Sequence, residues 1–399
     1  MLPKLGRAGS FHKDPIARGE VGALGRTRFL YRGKASTISS EWQHIEPPTA
    51  LYNRPWIRNW KKPKIMLSRV ADSVYWLNRY IERAENIARF VDVNLYLMLD
   101  LPYGAQQQWE PLVMTTGDLS FFKQHYGEVT KANVIQFLTF DQHYSNSILS
   151  CLNMARENAR SIREIISSEM WEEINRFYLM VKEAGDRPPA NIADFFARVK
   201  LSSHRFAGIM DATMTHNEAW HFGQMGRLQE RADKTARILD VKYYYLLPSV
   251  EWVGTPLDQV EWIALLKSAS AYEMYRKSQR RITPANVASF LILHPKFPRS
   301  IHFCLLQVQR SLHEVTGTPL GSWRNEAERA LGRLCGEMGY ITIEDVISQG
   351  LHEFLEEIQA RVNEVGVKMA QTFFVNEPVL SPMPVQSQGQ TQQQSLASF

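Results

Sequence analysis

The sequence predicts an all-α protein, a helical bundle built as a tandem duplication with a pseudo-two-fold internal repeat. Three observations predict it. Apolar residues recur at helical spacing through most of residues 66–377. No convincing set of alternating strands is present. Two unrelated motifs each recur once, in the same order and at nearly the same separation.

Helices are predicted near 68–100, 146–167, 170–184, 190–214, 217–247, 256–281, 299–316, 320–336 and 343–374. Ser68 reads as the N-cap of the first. Pro102, Pro248, Pro284 and Pro319 fall in or near the breaks, where a missing N–H and a fixed φ do least harm.

The ends read differently. Residues 1–65 lack helical periodicity and hold 13 Lys+Arg against 4 Asp+Glu, a net of +9. The remaining residues hold 33 against 37, a net of −4, so the basic pI belongs to the leader. Its basic residues are scattered, which favours a disordered extension over a nucleic-acid or membrane arm. We expect Met66 to be the start of the fold, and the true translation start. Residues 378–399 are rich in Gln, Ser and Pro and carry no charge, the composition of a disordered tail. The expected organisation is leader 1–65, repeat 66–215, repeat 216–377 and tail 378–399.

No apolar run approaches the ~18 residues of a membrane span, and no secretory signal is present. Cys151, Cys304 and Cys335 are far apart with no CxxC, which favours a reducing, cytoplasmic setting without disulfides or a zinc ribbon. No Gly-rich phosphate loop, GxSxG or HExxH occurs. Glu218 and His221 form an ExxH, the spacing of di-iron bundles, but no second ExxH accompanies it. Trp220 and His221 read instead as packing residues. No metal or cofactor is expected, and neither nucleic acid nor membrane is an expected partner.

The first recurring motif is RxxERAxxxAR. Arg79, Glu82, Arg83, Ala84, Ala88 and Arg89 match Arg227, Glu230, Arg231, Ala232, Ala236 and Arg237 at an offset of 148. The second pairs Asn133, Phe137, Leu138, Ser147, Ile148, Cys151 and Leu152 with Asn286, Phe290, Leu291, Ser300, Ile301, Cys304 and Leu305 at an offset of 153. Cys151 and Cys304 read as small core residues.

At about 100° per residue, Arg79, Glu82, Asn86 and Arg89 share an arc of about 80° on the first helix. Val74, Leu77, Ile81, Ala84, Ala88 and Val91 centre on the opposite face, and Arg83 sits beside the charged row. The second copy keeps the row as Arg227, Glu230, Lys234 and Arg237, while Gln229 interrupts its apolar stripe. A solvated face of i,i+4 pairs would contribute only about 0.2–0.5 kcal/mol per pair. The alternative is that the two rows face each other as a polar cavity, where Arg suits bidentate contact with carboxylate or phosphate and Glu orients Arg or acts as a base. Arg156, Arg160 and Arg163 are spaced to lie on one helix face. Their counterpart region holds Gln307, Gln309 and Arg310, so any site would be asymmetric.

At these residues the chain resembles the bacterial alpha-E family of helical domains. The matching stretches are MLSRVADSVYWLNRYIERAENIARFVDVN from Met66, SILSCLNMARENARSIREIISSEMWEEIN from Ser147 and GRLQERADKTARILDVKYYYLL from Gly226. The resemblance implies an all-helical unit from about Met66 to Phe374 with its signature at the Glu-Arg positions above. It also implies genomic company, a circularly permuted ATP-grasp ligase and a transglutaminase-like peptidase. The leading expectation is an accessory subunit that binds such a partner, an anionic peptide or a phosphorylated ligand through Arg79, Glu82, Arg83, Asn86, Arg89, Arg156, Arg160, Arg227, Glu230, Arg231 and Arg237. The alternatives are an enzyme using Glu82 or Glu230 as acid/base in amide or acyl-phosphate chemistry, and a purely structural scaffold.

Overall fold

The computed structural model describes residues 68–100, 109–116, 118–245 and 255–374, all within one compact unit, Pro63–Phe399. The expected leader and tail, and Pro102 and Pro248, lie outside the described residues. Every regular element among them is a helix, so the fold is all-α.

Two long helices form the centre, α1 (Ser68–Asp100) and α8 (Glu218–Tyr245). They run side by side in the same direction. Tyr75 lies against Gly226, Arg79 and Arg83 reach Glu230, and Phe90 and Val93 share a crevice with Ile238 and Val241. Gly226 permits the approach: a Cβ there would stand 2.2 Å from the Tyr75 carbonyl oxygen. Gln229, which interrupts the α8 stripe, is buried and bridges helices. It accepts from the Tyr75 hydroxyl (2.7 Å) and donates to the Val362 carbonyl (2.7 Å).

Helices α2 (Glu110–Met114), α3 (Leu119–Tyr126) and α4 (Lys131–Ile135) follow α1, and a π-helical turn at Gln136–Phe140 continues α4. Then α5 (Ile148–Ser161), α6 (Ser168–Asp186) and α7 (Ile192–Thr213) complete the elements before α8. After it come α9 (Pro256–Ser268), α10 (Tyr272–Ser278), α11 (Pro284–Leu293), α12 (Ile301–Thr316), α13 (Glu326–Tyr340), α14 (Ile343–Gln349) and α15 (Leu351–Met369), ending in a π-helical turn at Ala370–Phe374.

α5 and α7 flank α1, while α12 and α15 flank α8. Two apolar clusters result. One joins α1 to residues up to Ala219, and the other joins α8 to residues up to Met369 and takes Ala71 and Tyr75 from α1. Cys151 and Cys304 are fully buried, one in each cluster, and burial pushes their thiols up to about 12.

The matched Ser-Ile positions have a local physical basis. Ser147 and Ser300 cap α5 and α12, each accepting from the backbone N–H three residues on. Each hydroxyl also donates to a preceding carbonyl, Asp141 and His294 respectively. Thr130 and Thr283 cap α4 and α11 in the same manner, through Asn133 N–H and Asn286 N–H.

Several predicted boundaries need correction. Ser68 is already helical, so it does not cap α1. The helix predicted at 256–281 breaks at Ala269–Ala271, where Ser270 has a φ of 50°. That predicted at 343–374 breaks at Gly350, whose φ of 102° favours glycine. Pro284 lies near a break as expected, in the first turn of α11, a helix the periodicity did not predict, where its missing N–H is harmless. The helix predicted at 320–336 begins at Glu326, capped by Asn325. α5 stops at Ser161, so Arg163 lies beyond it, and the three arginines do not share one helix.

Candidate functional site: a reciprocal Glu-Arg lock between the central helices

The two charged rows face each other along the α1–α8 contact and are buried in it. Glu82 and Glu230 are 1% and 0% exposed, so neither row is a solvated face. The matched pairs exchange partners. Arg83 of α1 grips Glu230 of α8 with Nε to Oε1 at 2.7 Å and Nη2 to Oε2 at 3.0 Å. Arg231 of α8 grips Glu82 of α1 with Nε to Oε1 at 2.8 Å and Nη2 to Oε2 at 2.8 Å. Each is a two-pronged guanidinium–carboxylate fork, the strongest and most directional ion pair available to side chains.

The carboxylates are then saturated. Glu230 Oε2 also accepts from Arg79 Nε (2.9 Å), and Lys234 Nζ stands 3.7 Å from Oε1. Glu82 Oε1 also accepts from Arg299 Nη1 (3.2 Å) and Asn86 Nδ2 (3.3 Å). The rows therefore fill the space between them with ion pairs instead of enclosing a polar cavity.

A second tier lies one turn on. Glu85 accepts from Arg89 Nε (2.8 Å), Arg299 Nη2 (2.5 Å) and Ser203 Oγ (2.8 Å). Asp233, at the matched position, accepts from Arg237 Nε at 2.9 Å and lies 3.3 Å from Lys234 Nζ. Arg89 also reaches Ser270 Oγ and His204 Nε2.

The electrostatics follow from this geometry. Burial pushes the Glu230 carboxyl up, but Arg83, Arg79 and Lys234 outweigh it and hold the group well below the carboxylate range. Glu85 behaves alike, with Arg299, His204 and Arg89 opposing burial. For Glu82, burial and repulsion from Glu85 oppose Arg231 and Arg299, and the net shift is downward. All three stay ionised at neutral pH.

Arg227 breaks the exchange. It matches Arg79, yet no carboxylate accepts from it: Arg231 and Arg299 occupy Glu82. Its Nη2 donates to Gln224 Oε1 at 2.5 Å, and its buried Nε has no acceptor. Burial and the neighbouring Arg231 depress its pKa, the mark of an uncompensated cation.

Of the residues singled out in the sequence, Arg79, Glu82, Arg83, Asn86, Glu230 and Arg231 meet in the lock. Arg227 lies beside it, and Arg89 and Arg237 belong to its second tier. Arg156 and Arg160 do not join it. Arg156 donates to Asn175 and lies over the Trp171 and Tyr178 rings, and Arg160 pairs with Glu157 on the surface. Sequence reasoning missed Glu85, Asp233 and Arg299. A signal for Arg299 was present: the matched positions 86 and 234 read Asn and Lys, while 146 and 299 read Asn and Arg. Each helix's pair of carboxylates thus receives one extra cation: Lys234 of α8 itself for Glu230 and Asp233, and Arg299 of the loop before α12 for Glu82 and Glu85. Glu218 and His221 gain no metal company, because no group of three or more His, Cys, Asp or Glu could hold an ion among the described residues. No helix among the described residues is long and apolar enough to cross a membrane.

Comparison with known proteins places this architecture. A family described as Alpha-E, "a predicted alpha-helical domain with a conserved ER motif", matches residues 66–374. Uncharacterized proteins of Mycobacterium bovis and Mycobacterium tuberculosis are 21% identical over 323 residues, covering 74% of this chain and 35% of their own length. The chain thus spans about a third of the length of the curated relatives it matches. No solved structure matches it. With the match running from residue 66 to residue 374 and the Glu-Arg pairs locking its two central helices, the chain belongs to the Alpha-E family.

Proposed function

We propose that this protein is a helical binding subunit that holds an anionic group beside the Glu-Arg lock, at Arg227. The ligand is a peptide carboxylate or phosphorylated intermediate, or the acidic surface of a partner. Its expected company is an ATP-grasp ligase and a transglutaminase-like peptidase, in a system that forms or processes amide bonds. The observation that carries the reading is the charge imbalance among the described residues of the lock. Arg79, Arg83, Arg89, Arg227, Arg231, Lys234, Arg237 and Arg299 surround the carboxylates Glu82, Glu85, Glu230 and Asp233, and Arg227 Nε lacks an acceptor. A buried guanidinium donor without an acceptor costs about 1–3 kcal/mol, a cost that an incoming oxyanion removes. In this reading the two halves derive from one duplicated unit, which the partner exchange between matched residues supports, and Arg227 is where the copies diverged toward binding.

The catalytic reading is less well supported. A general base works best with a pKa near the operating pH, whereas Glu82 and Glu230 are buried, saturated and held low. The test is affinity capture with the full chain from native lysate. The ATP-grasp ligase or the peptidase should be recovered with the native chain and lost with Arg227→Gln, while the variant keeps its helical content. Recovery of neither, or equal recovery with both proteins, counts against the proposal.

A further inference from the structure

Beside the lock, on the α1–α5–α6 side, lies a groove of about 560 Å³. Small-molecule sites are typically roughly 300–1,000 Å³. α1 contributes Trp76, Tyr80 and Arg83 to its lining, the segment leading into α5 and α5 itself contribute Asn146 and Asn153, and α6 contributes Tyr178 and Lys182. No Asp or Glu is among the described residues that line it. The wall is thus cationic, aromatic and amide-rich together.

Arg83 links the groove to the lock. Its Nε and Nη2 donate to Glu230, and its Nη1 donates to Asn146 Oδ1 at 2.7 Å. A guanidinium carries five N–H donors, so those three bonds leave two uncommitted on a side chain that lines the groove. The aromatic wall is held in place by its own helix. Arg79 lies 5.0 Å from the Trp76 ring centroid, Trp76 lies 5.4 Å from Tyr80, and Arg83 lies 5.7 Å from Tyr80. This alternation fixes the rings without a ligand.

Packing does not require this polarity. At the matched positions of the other half, Trp76 and Tyr80 are replaced by Gln224 and Leu228, and Ser150 and Asn153 by Phe303 and Leu306. The helices pair in the same way there with Leu228, Phe303 and Leu306 in place of Tyr80, Ser150 and Asn153, so the polar groups at those three positions of the first half need another reason.

We propose that this groove binds a small anionic ligand. Its carboxylate or phosphate is drawn to Arg83 and Lys182, its body lies against Trp76, Tyr80 and Tyr178, and Asn146 and Asn153 hydrogen-bond to its polar edge. The groove site stands independently of the Arg227 site.

Calorimetric titration of the full chain tests this with two anionic probes, adenosine monophosphate and an N-acetylated glutamyl dipeptide. Adenosine and the fully amidated dipeptide serve as neutral counterparts. At least one anionic probe should bind, and its neutral counterpart should bind at least about tenfold more weakly, a difference of about 1.4 kcal/mol. Binding of the first probe identifies a phosphate site, and binding of the second a carboxylate site. Lys182→Glu, at an exposed position, and Tyr178→Ala should each weaken binding by about tenfold or more. Binding of neither probe, or binding that survives Lys182→Glu, overturns the proposal.

Discussion

Arg79 and Arg227 occupy matched positions of one motif, and the geometry predicts opposite consequences for replacing them with Gln. Arg79 is 8% exposed and donates to Glu230 Oε2 (2.9 Å) and to the Tyr75 hydroxyl (3.1 Å), with its guanidinium over the Trp76 ring. Removing one partner of a buried ion pair costs about 3–5 kcal/mol when the other is left bare. Glu230 keeps the Arg83 fork and Lys234, so the expected cost of Arg79→Gln is lower, about 2–3 kcal/mol. Arg227 pairs with no carboxylate; its replacement removes a buried cation and surrenders one hydrogen bond to Gln224. The two effects oppose each other, and Arg227→Gln should fall within about 1 kcal/mol of the native chain, in either direction. Reversible urea unfolding followed by circular dichroism measures both. If Arg227→Gln costs as much as Arg79→Gln, the asymmetry read from the hydrogen bonding is refuted.

Other consequences are open to measurement. Glu82, Glu85 and Glu230 titrate below the ordinary 4.5 in the fold, so as pH falls the unfolded chain takes up protons first. Their contribution to stability is complete above about pH 4.5 and is lost as pH falls through the lowered folded values. Urea midpoints from pH 7 downward should show this descent, and it should be shallower in Glu82→Gln/Glu230→Gln. Cys151, Cys304 and Cys335 are buried with thiols pushed up to about 12. A thiol-reactive chromophore should leave them unmodified in the native state and label them after unfolding. Gly226→Ala places a Cβ against the Tyr75 carbonyl and should destabilise by about 1–3 kcal/mol or more, read from the same urea curves.

The long amphipathic helices were legible because burial of one face writes a 3.6-residue period into the chain. The short helices between Glu110 and Phe140 were not, since a segment of five to eight residues carries little more than one period. The breaks at Ser270 and Gly350 depend on single positive-φ residues inside otherwise helical composition. Helical angles correctly separated Arg79, Glu82 and Asn86 from the Val74–Leu77–Ile81 stripe. They could not say what the charged face meets, because a buried ion pair and a solvated one have the same spacing in sequence. Partners such as Arg299 on Glu82 lie 217 positions apart, and only the fold brings them together. Arg156 and Arg160 were misplaced for the same reason: helical spacing gives a shared face but not its partner, and Arg156 turns to Asn175 of α6 while Arg160 pairs with Glu157 of its own helix.

The central claim is that the matched motifs lock one another across α1 and α8. A double-mutant cycle on Glu82 and Arg231, using Glu82→Gln, Arg231→Gln and the double variant, tests it most directly. Their two-pronged contact at 2.8 Å predicts a favourable coupling of about 1.5–3 kcal/mol. Single-variant effects that add to within about 0.5 kcal/mol would contradict the lock.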